Sequence, residues 1–290
     1  MFKGSMVALV TPFKNGKVDE QALKELIEFH IKNGTSALVP CGTTGESATL
    51  SYEEHDRVIE LTVRCAKGRL PVIAGTGANS TDEAIMLTKH AKSCGADASL
   101  QVSPYYNRPT QKGLYLHFKA IAEAVDIPII LYNIASRTGV NIEPETFTKL
   151  AEIKNIVGVK EASGSLEQMA RIRKVTPKDF LLISGDDALT LPVMAIGGVG
   201  VISVVANIIP RDVADMCAAF EKGDIKKAQE LHYKMLPLVK AMFLETNPIP
   251  VKTAMGLMKM IDPALRLPMC EMEPANHEKL IMELKAYKLI

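Results

Sequence analysis

Lys160 is the residue whose position in this sequence most favours covalent chemistry. It follows an apolar run, residues 156–159, that is typical of a buried β-strand. Strand alternation predicts Ile156 and Gly158 on the same face as the lysine and the two valines of the run on the other. If the valines face a helix layer, the lysine points inward and Gly158 leaves room for it. Burial disfavours the charged form of an amine, and a neutral amine can form a Schiff base with a carbonyl. A lysine at the rim, or paired with Glu161, is the alternative.

Other groups that could bind or move protons lie where predicted strands end. The glycine-rich turn at residues 42–46 exposes backbone N–H groups and two hydroxyls, which suit a small carboxylate, although a plain turn explains it equally well. Tyr132 and Tyr106 could carry protons or simply pack. Arg137 could bind a carboxylate through two hydrogen bonds or be a solvated charge.

The sequence gives little reason to expect a metal or a nucleotide cofactor. None of the six histidines has metal-site spacing, and the five cysteines form no Cys-x-x-Cys pair, so reduced thiols are expected. Residues 75–77, Gly-Thr-Gly, lack the third glycine of a dinucleotide loop because Ser80 stands in its place.

Apolar runs and helical patterns alternate along the chain and would position these groups. Eight such βα units predict a closed (β/α)8 barrel, an α/β fold whose active site lies at the carboxyl ends of the strands. An open doubly wound sheet is the competing architecture. The predicted strands are residues 5–10, 37–41, 71–74, 98–102, 128–132, 156–160, 180–184 and 199–205.

Helix signals complete this prediction. Ser51 with Glu54, and Ser80 with Glu83, have capping-box spacing. After the last strand, helical patterns cover residues 210–220, 225–243, 251–260 and 276–287 without a linker before them. We therefore expect a catalytic barrel over residues 1–207 and a C-terminal helical extension over residues 208–290, packed on the barrel.

Composition narrows the class of protein. The chain has 290 residues, 47% of them hydrophobic, and its 34 Lys and Arg against 33 Asp and Glu leave a net charge of +1. A nucleic-acid partner is therefore not expected. We find no signal peptide and no apolar stretch of membrane-spanning length, so a cytoplasmic protein is predicted.

In combination, the motifs resemble those of the dihydrodipicolinate synthase family, within the pyruvate-dependent class I aldolase superfamily that also includes N-acetylneuraminate lyase. Gly-Thr-Thr-Gly-Glu, Tyr-Tyr-Asn-Arg-Pro, Ser-Arg-Thr-Gly and Val-Lys-Glu-Ala carry the resemblance, which runs along the whole chain. The matching segments are residues 4–12, 42–50, 74–79, 104–109, 131–139, 158–164, 184–187, 200–204 and 247–252.

The resemblance implies a reaction and assigns residues to it. Lys160 would condense with pyruvate, held by Thr44 and the backbone at Ile202, with its carboxylate on the Thr43 and Thr44 amides. The resulting enamine would attack the aldehyde of L-aspartate 4-semialdehyde. Ring closure by the substrate amine would release 4-hydroxy-tetrahydrodipicolinate, in the first committed step of lysine and diaminopimelate biosynthesis.

The resemblance also implies proton carriers and an assembly. Tyr132, Thr43 and Tyr106 match a hydroxyl relay in which Tyr106 comes from a neighbouring subunit, within a homotetramer built as a dimer of dimers. Arg137 would bind the carboxylate of the semialdehyde. No metal or cofactor is implied. Many relatives carry proline at the position of Ala135. The alanine of this chain would loosen the loop that holds Arg137.

An allosteric site for L-lysine at a dimer interface is a further hypothesis. Tyr52 stands where lysine-sensitive relatives often carry histidine. The residues that match the site are Ser47, Ala48, Leu50, His55, Asn79, Glu83 and Tyr105.

Two other functions compete with this one. A related aldolase could act on a sialic acid or keto-sugar acid, but Arg137 and Tyr106 in their motifs favour the semialdehyde. A regulator that has lost catalysis is disfavoured by the intact Lys160 and Tyr132 and by the absence of a basic domain for DNA.

Overall fold

The computed structural model describes residues 2–290, in which eight parallel strands form a nearly closed barrel alternating with helices. Around the barrel the strands follow the order β4-β1-β10-β9-β8-β7-β6-β5, and an isolated bridge between Leu38 and Val72 joins the two ends. The predicted barrel is thus confirmed, and the competing open doubly wound sheet is excluded. The strands are β1 (Gly4–Ala8), β2 (Phe13–Lys14), β3 (Lys17–Val18), β4 (Ala37–Val39), β5 (Ile73–Gly75), β6 (Ala98–Val102), β7 (Ile129–Asn133), β8 (Ile156–Glu161), β9 (Leu181–Ser184) and β10 (Gly200–Ser203).

Helices cover the outside of the barrel and continue beyond its last strand. A small antiparallel hairpin, β2 with β3, was not predicted because its strands have only two residues each. The α-helices are α1 (Glu20–Lys32), α2 (Tyr52–Ala66), α3 (Thr81–Ser93), α4 (Gln111–Ala124), α5 (Ala135–Thr138), α6 (Pro144–Leu150), α7 (Leu166–Val175), α8 (Thr190–Ala195), α9 (Pro210–Glu221), α10 (Ile225–Ala241), α11 (Ile249–Leu257) and α12 (Pro274–Ala286).

Of the two capping boxes that the sequence predicts, one forms. Ser51 and Glu54 form the predicted capping box at the start of α2. At α3, Ser80 is the N-cap but its side chain makes no capping hydrogen bond, so the second predicted box is wrong. Glu83 instead accepts a hydrogen bond from the Tyr52 hydroxyl at 3.1 Å, which takes its carboxylate away from the cap.

Two apolar layers hold the barrel, one inside it and one between strands and helices. Alternation along β8 departs from the prediction at its start, because a register irregularity lies opposite Ile129 and Ile130. As a result Ile156 packs in the outer layer and Val157 against the inner one, the reverse of the prediction. Val159 returns to the outer layer, so Lys160 still points inward.

The C-terminal helices pack on the barrel and on one another. Helix α9 contacts β1, α10 packs on α9, and α12 packs on α10 and α11. Helix α9 packs on β1, so it covers the barrel as the helix of an eighth βα unit would. The boundary between residues 207 and 208 therefore stays a prediction. Within residues 2–290, none of the helices has the length and apolar character needed to cross a bilayer.

Candidate active site

Lys160 lies inside the barrel beside Tyr132. The two residues are register partners on β8 and β7, and the lysine Nζ lies 4.2 Å from the centre of the tyrosine ring. Lys160 is only 6% exposed. Its neighbour Glu161 points elsewhere, accepting hydrogen bonds from Asn133 Nδ2 at 2.9 Å and from the Ser163 amide at 2.8 Å. The alternative in which Glu161 pairs with the lysine is therefore wrong, and burial raises the pKa of this carboxyl.

Gly185, which lies in the matching segment 184–187 but was given no function from the sequence, makes the room that Lys160 occupies. A Cβ on Gly185 would lie 3.2 Å from Lys160 Cγ and 2.7 Å from the Ala162 Cβ. Gly158 was predicted to leave room for Lys160. It instead allows close packing against β9, since a Cβ there would lie 2.6 Å from Leu181. The aliphatic part of the Lys160 side chain thus packs against the backbone of Gly185, directly after the neighbouring strand β9.

The turn at residues 42–46 follows β4 and has a strained, well-supported backbone. Cys41 and Glu46, at its two ends, both have left-handed φ angles of 56° and 52°. The amides of Gly45 and Glu46 bond back to the carbonyls of Gly42 and Thr43. In residues 2–290, the Thr43 and Thr44 amides donate to no protein acceptor. Two neighbouring free N–H groups suit a carboxylate.

Gly75 brings the next strand close to this turn, and Gly77 brings the same segment close to the end of β6. A Cβ on Gly75 would clash with the Cys41 carbonyl, and a Cβ on Gly77 would clash with the Val102 amide. The Gly75 amide also donates to the Pro40 carbonyl at 2.9 Å. The Gly-Thr-Gly segment is therefore a close-packing motif between the turn and β6.

Asn247, from the segment before α11, connects Thr44 with Arg137. Its Nδ2 donates to Thr44 Oγ1 at 3.0 Å, and its backbone carbonyl accepts from Arg137 Nη2 at 3.0 Å. Sequence reasoning gave Asn247 no function, although it begins one of the segments, residues 247–252, that carry the resemblance. Its Oδ1 is buried without a protein partner. Arg137 lies on the one-turn helix α5 and is otherwise exposed.

A buried aspartate accepts hydrogen bonds from the backbone that directly follows the strand of Ile202. Ile202 is 1% exposed and packs in the inner layer, opposite Met6 of β1. Asp187 Oδ2 accepts from the amides of Val204 at 2.9 Å and Val205 at 3.1 Å, just after this strand. Burial raises the pKa of Asp187.

Tyr106 is not buried with the other candidates. It is 91% exposed and has a left-handed φ of 70°. The loop around it is fixed, since Asn107 Nδ2 donates to the Asn79 carbonyl at 2.8 Å and Asn79 Nδ2 donates to the Tyr105 carbonyl at 3.3 Å. A rigid loop that presents a tyrosine to solvent suits a contact with a second chain.

Among the residues of the hypothetical lysine site, His55, Glu83 and Asn79 each make a hydrogen bond in the structure. His55 is buried and its Nε2 lies 2.9 Å from the Gly75 carbonyl. Glu83 already bonds to Tyr52, and Asn79 to the loop of Tyr105. Ser47 and Ala48 begin a short 3₁₀ helix, and Leu50 follows it.

Groups that imine chemistry on a small carboxylate substrate would need lie at the carboxyl ends of the barrel strands. A buried amine lies beside a phenol at the ends of β8 and β7, free amides are available on the turn after β4, and an arginine lies on α5 after β7. Among residues 2–290, three or more His, Cys, Asp or Glu side chains nowhere gather as metal ligands.

Comparison with known proteins gives full-length matches. The sequence profile of the Dihydrodipicolinate synthetase family matches residues 1–287. The 4-hydroxy-tetrahydrodipicolinate synthase of Syntrophus aciditrophicus (strain SB) is 60% identical over 290 residues, covering 100% of both chains. A structure of the chloride-inhibited dihydrodipicolinate synthase from Acinetobacter baumannii in complex with pyruvate is 48% identical, with a TM-score of 0.98 and 100% coverage of both chains. A lysine-bound structure of the enzyme from Cyanidioschyzon merolae is 44% identical, with a TM-score of 0.96, covering 100% of this chain and 99% of that one.

Proposed function

Because the chain belongs to the dihydrodipicolinate synthetase family and is a lyase with 4-hydroxy-tetrahydrodipicolinate synthase activity in lysine biosynthesis, we propose that its reaction begins with an imine between Lys160 and pyruvate. The observation that carries this proposal is the buried amine beside Tyr132, the one lysine that projects into the inner layer at the carboxyl end of a described strand. Pyruvate is the ligand of the A. baumannii relative.

The turn after β4 would hold the substrate. The free amides of Thr43 and Thr44 would bind the pyruvate carboxylate, and the Thr44 hydroxyl and the backbone at Ile202 would fix its orientation. Such donors are already in place before the substrate arrives, so little reorganisation opposes binding. Loss of a methyl proton from the imine then gives the enamine, the nucleophile of the second half-reaction.

Proton transfers need hydroxyl groups near the imine. Tyr132 is adjacent to Lys160, Thr43 lies on the turn, and Tyr106 of a neighbouring subunit would complete the relay. The exposure and the fixed loop of Tyr106 support a partner that receives it. A homotetramer in the cytoplasm remains the predicted state, and sedimentation velocity of the purified protein would determine its mass.

Arg137 would bind the carboxylate of L-aspartate 4-semialdehyde. Its bond to the Asn247 carbonyl fixes one end of the guanidinium and leaves the remaining N–H groups for the substrate. After the enamine adds to the aldehyde, the substrate amine displaces Lys160 and closes the ring.

The experiment that tests this assignment compares aldehyde substrates. A coupled assay with pyruvate and either aspartate semialdehyde or a sugar aldehyde should show kcat/KM at least a hundredfold higher for the semialdehyde. Arg137→Ala should remove most of that preference. A wild-type preference for the sugar aldehyde would instead support the sialic acid or keto-sugar acid alternative.

L-Lysine is proposed as an inhibitor that binds around Glu83, on the basis of the C. merolae structure with lysine bound. Here the Tyr52 hydroxyl occupies Glu83, the carboxylate that would receive an ammonium group. The Tyr52 hydroxyl competes with an ammonium group for this oxygen of Glu83, so we expect Tyr52→Phe to lower the inhibitory concentration of lysine about threefold. Calorimetry without binding heat and an assay without inhibition, in wild type and variant alike, would contradict the site.

A further inference from the structure

The mechanism makes no use of a buried ion pair that ends directly on the carboxylate-binding turn. Lys252 of α11 donates to Glu46 Oε1 at 2.5 Å, and the side chains are 0% and 2% exposed. The lysine also donates to the Thr11 carbonyl at 3.0 Å, and its Nζ lies 4.2 Å from the centre of the Phe13 ring. Burial lowers the pKa of Lys252, and the charge of Glu46 opposes this shift.

A second contact from the C-terminal region holds the other oxygen of Glu46. The Arg266 amide donates to Glu46 Oε2 at 3.1 Å, while the Arg266 side chain bonds to Glu54 and to the Thr49 carbonyl. Both carboxylate oxygens are thus occupied by groups from beyond the barrel. They fix a residue whose left-handed φ would otherwise be unfavourable.

Stability alone does not account for this arrangement. A buried ion pair pays a large desolvation cost, and apolar side chains of similar volume often stabilise a protein as well or better. Apolar side chains cannot, however, supply a directional hydrogen bond to each carboxylate oxygen of Glu46, the residue that ends the strained turn. The turn fixed in this way carries the free Thr43 and Thr44 amides.

We propose that Lys252 and Glu46 are positioning residues, which hold residues 42–46 in the conformation that aims the Thr43 and Thr44 amides at the substrate carboxylate. This inference rests on the proposed function of that turn. It gives the chain beyond the barrel a part in substrate selection, because Lys252 of α11, Arg266 in the loop after α11 and Asn247 in the segment before it all contact the turn.

The test compares pyruvate with methyl pyruvate, which lacks the carboxylate charge. Borohydride trapping at varied ketone concentration, read by intact mass, gives the half-saturating concentration for each. In the double variant Lys252→Met with Glu46→Gln, which leaves no buried charge unpaired, the preference for pyruvate should fall about tenfold. Glu46→Asp keeps the charge but shortens the side chain, and should lower the preference by about threefold or more.

Controls separate positioning from a general loss of structure. A misfolded fraction lowers the adduct yield with both ketones and leaves their ratio unchanged. Glu20→Gln breaks the ion pair between Glu20 and Arg57, which joins α1 to α2 away from the turn, and should keep the wild-type ratio. Either folded Glu46 variant with a wild-type ratio overturns the inference. Failure of wild-type protein to form any pyruvate adduct would instead contradict the proposed function.

Discussion

Replacing Gly185 by alanine tests whether the packing around Lys160 sets the rate of imine formation. The new Cβ would lie 2.7 Å from Ala162 Cβ, 3.1 Å from the Glu161 carbonyl and 3.2 Å from Lys160 Cγ. Since carbon atoms pack at about 3.5–4.0 Å, neighbouring strands or the lysine must move by roughly 0.8 Å. Overpacking of this kind costs about 1–3 kcal/mol of stability.

The expected kinetic effect is similar in size to the effect on stability, since a roughly 30- to 100-fold loss of rate corresponds to about 2–3 kcal/mol. A displacement near 1 Å at a reacting group can lower a rate by about a hundredfold. We therefore expect imine formation with pyruvate to slow by roughly 30- to 100-fold, because the Lys160 stem loses the space it occupies.

Rapid mixing with pyruvate, followed by borohydride quenching and intact mass, measures this rate. Gly198→Ala is the matched control, since its Cβ would meet Val193 Cγ1 at 2.6 Å in the segment that precedes β10, at the opposite end of the barrel. Gly198→Ala should lose similar stability in urea unfolding but keep its trapping rate. Equal slowing in both variants would refute the reasoning, as would a wild-type rate in Gly185→Ala.

Three further predictions concern the remaining groups. Arg137→Lys keeps the charge but loses the planar fork, and should raise the KM for aspartate semialdehyde about tenfold with little change for pyruvate; equal increases for both would contradict its assignment. Tyr132→Phe keeps the packing but removes the hydroxyl, and should lower kcat by about 10²-fold or more in the coupled assay; a wild-type kcat would exclude a proton-carrying function. Burial lowers the pKa of His117 to about 4, so between about pH 4 and 6.5 the unfolded chain binds a proton that the folded chain does not, and stability falls as pH falls. Urea unfolding at pH 8 and pH 5 should show about 2 kcal/mol less pH dependence in His117→Gln than in wild type, whereas an unchanged difference would contradict a neutral buried histidine.

The barrel could be predicted because its signals are local. Continuous apolar runs that end in polar turns recur with helical patterns between them, and only a closed parallel barrel or an open sheet accommodates them. The bulge in β8 could not be predicted, because a register shift depends on the neighbouring strand rather than on residues 156–160. It reversed Ile156 and Val157 without changing the direction of Lys160.

The site residues could be predicted only where a single short motif contains the reactive or binding group itself. The amine of Lys160 and the amides of the turn are such cases. The contacts that support them come from distant segments: Asn247 reaches Thr44 across 203 positions, and Lys252 reaches Glu46 across 206. Pairs so far apart leave no periodic signal in a single sequence, and a glycine such as Gly185 shows its use only when its neighbours are known.

The central claim is that Lys160 forms a covalent imine with pyruvate, and borohydride trapping tests it most directly. Wild-type protein reduced in the presence of pyruvate should gain the mass of one reduced adduct per chain, on the peptide that contains Lys160. Lys160→Ala should gain none while remaining folded. An adduct that persists in Lys160→Ala, or no adduct in wild type, would contradict the account.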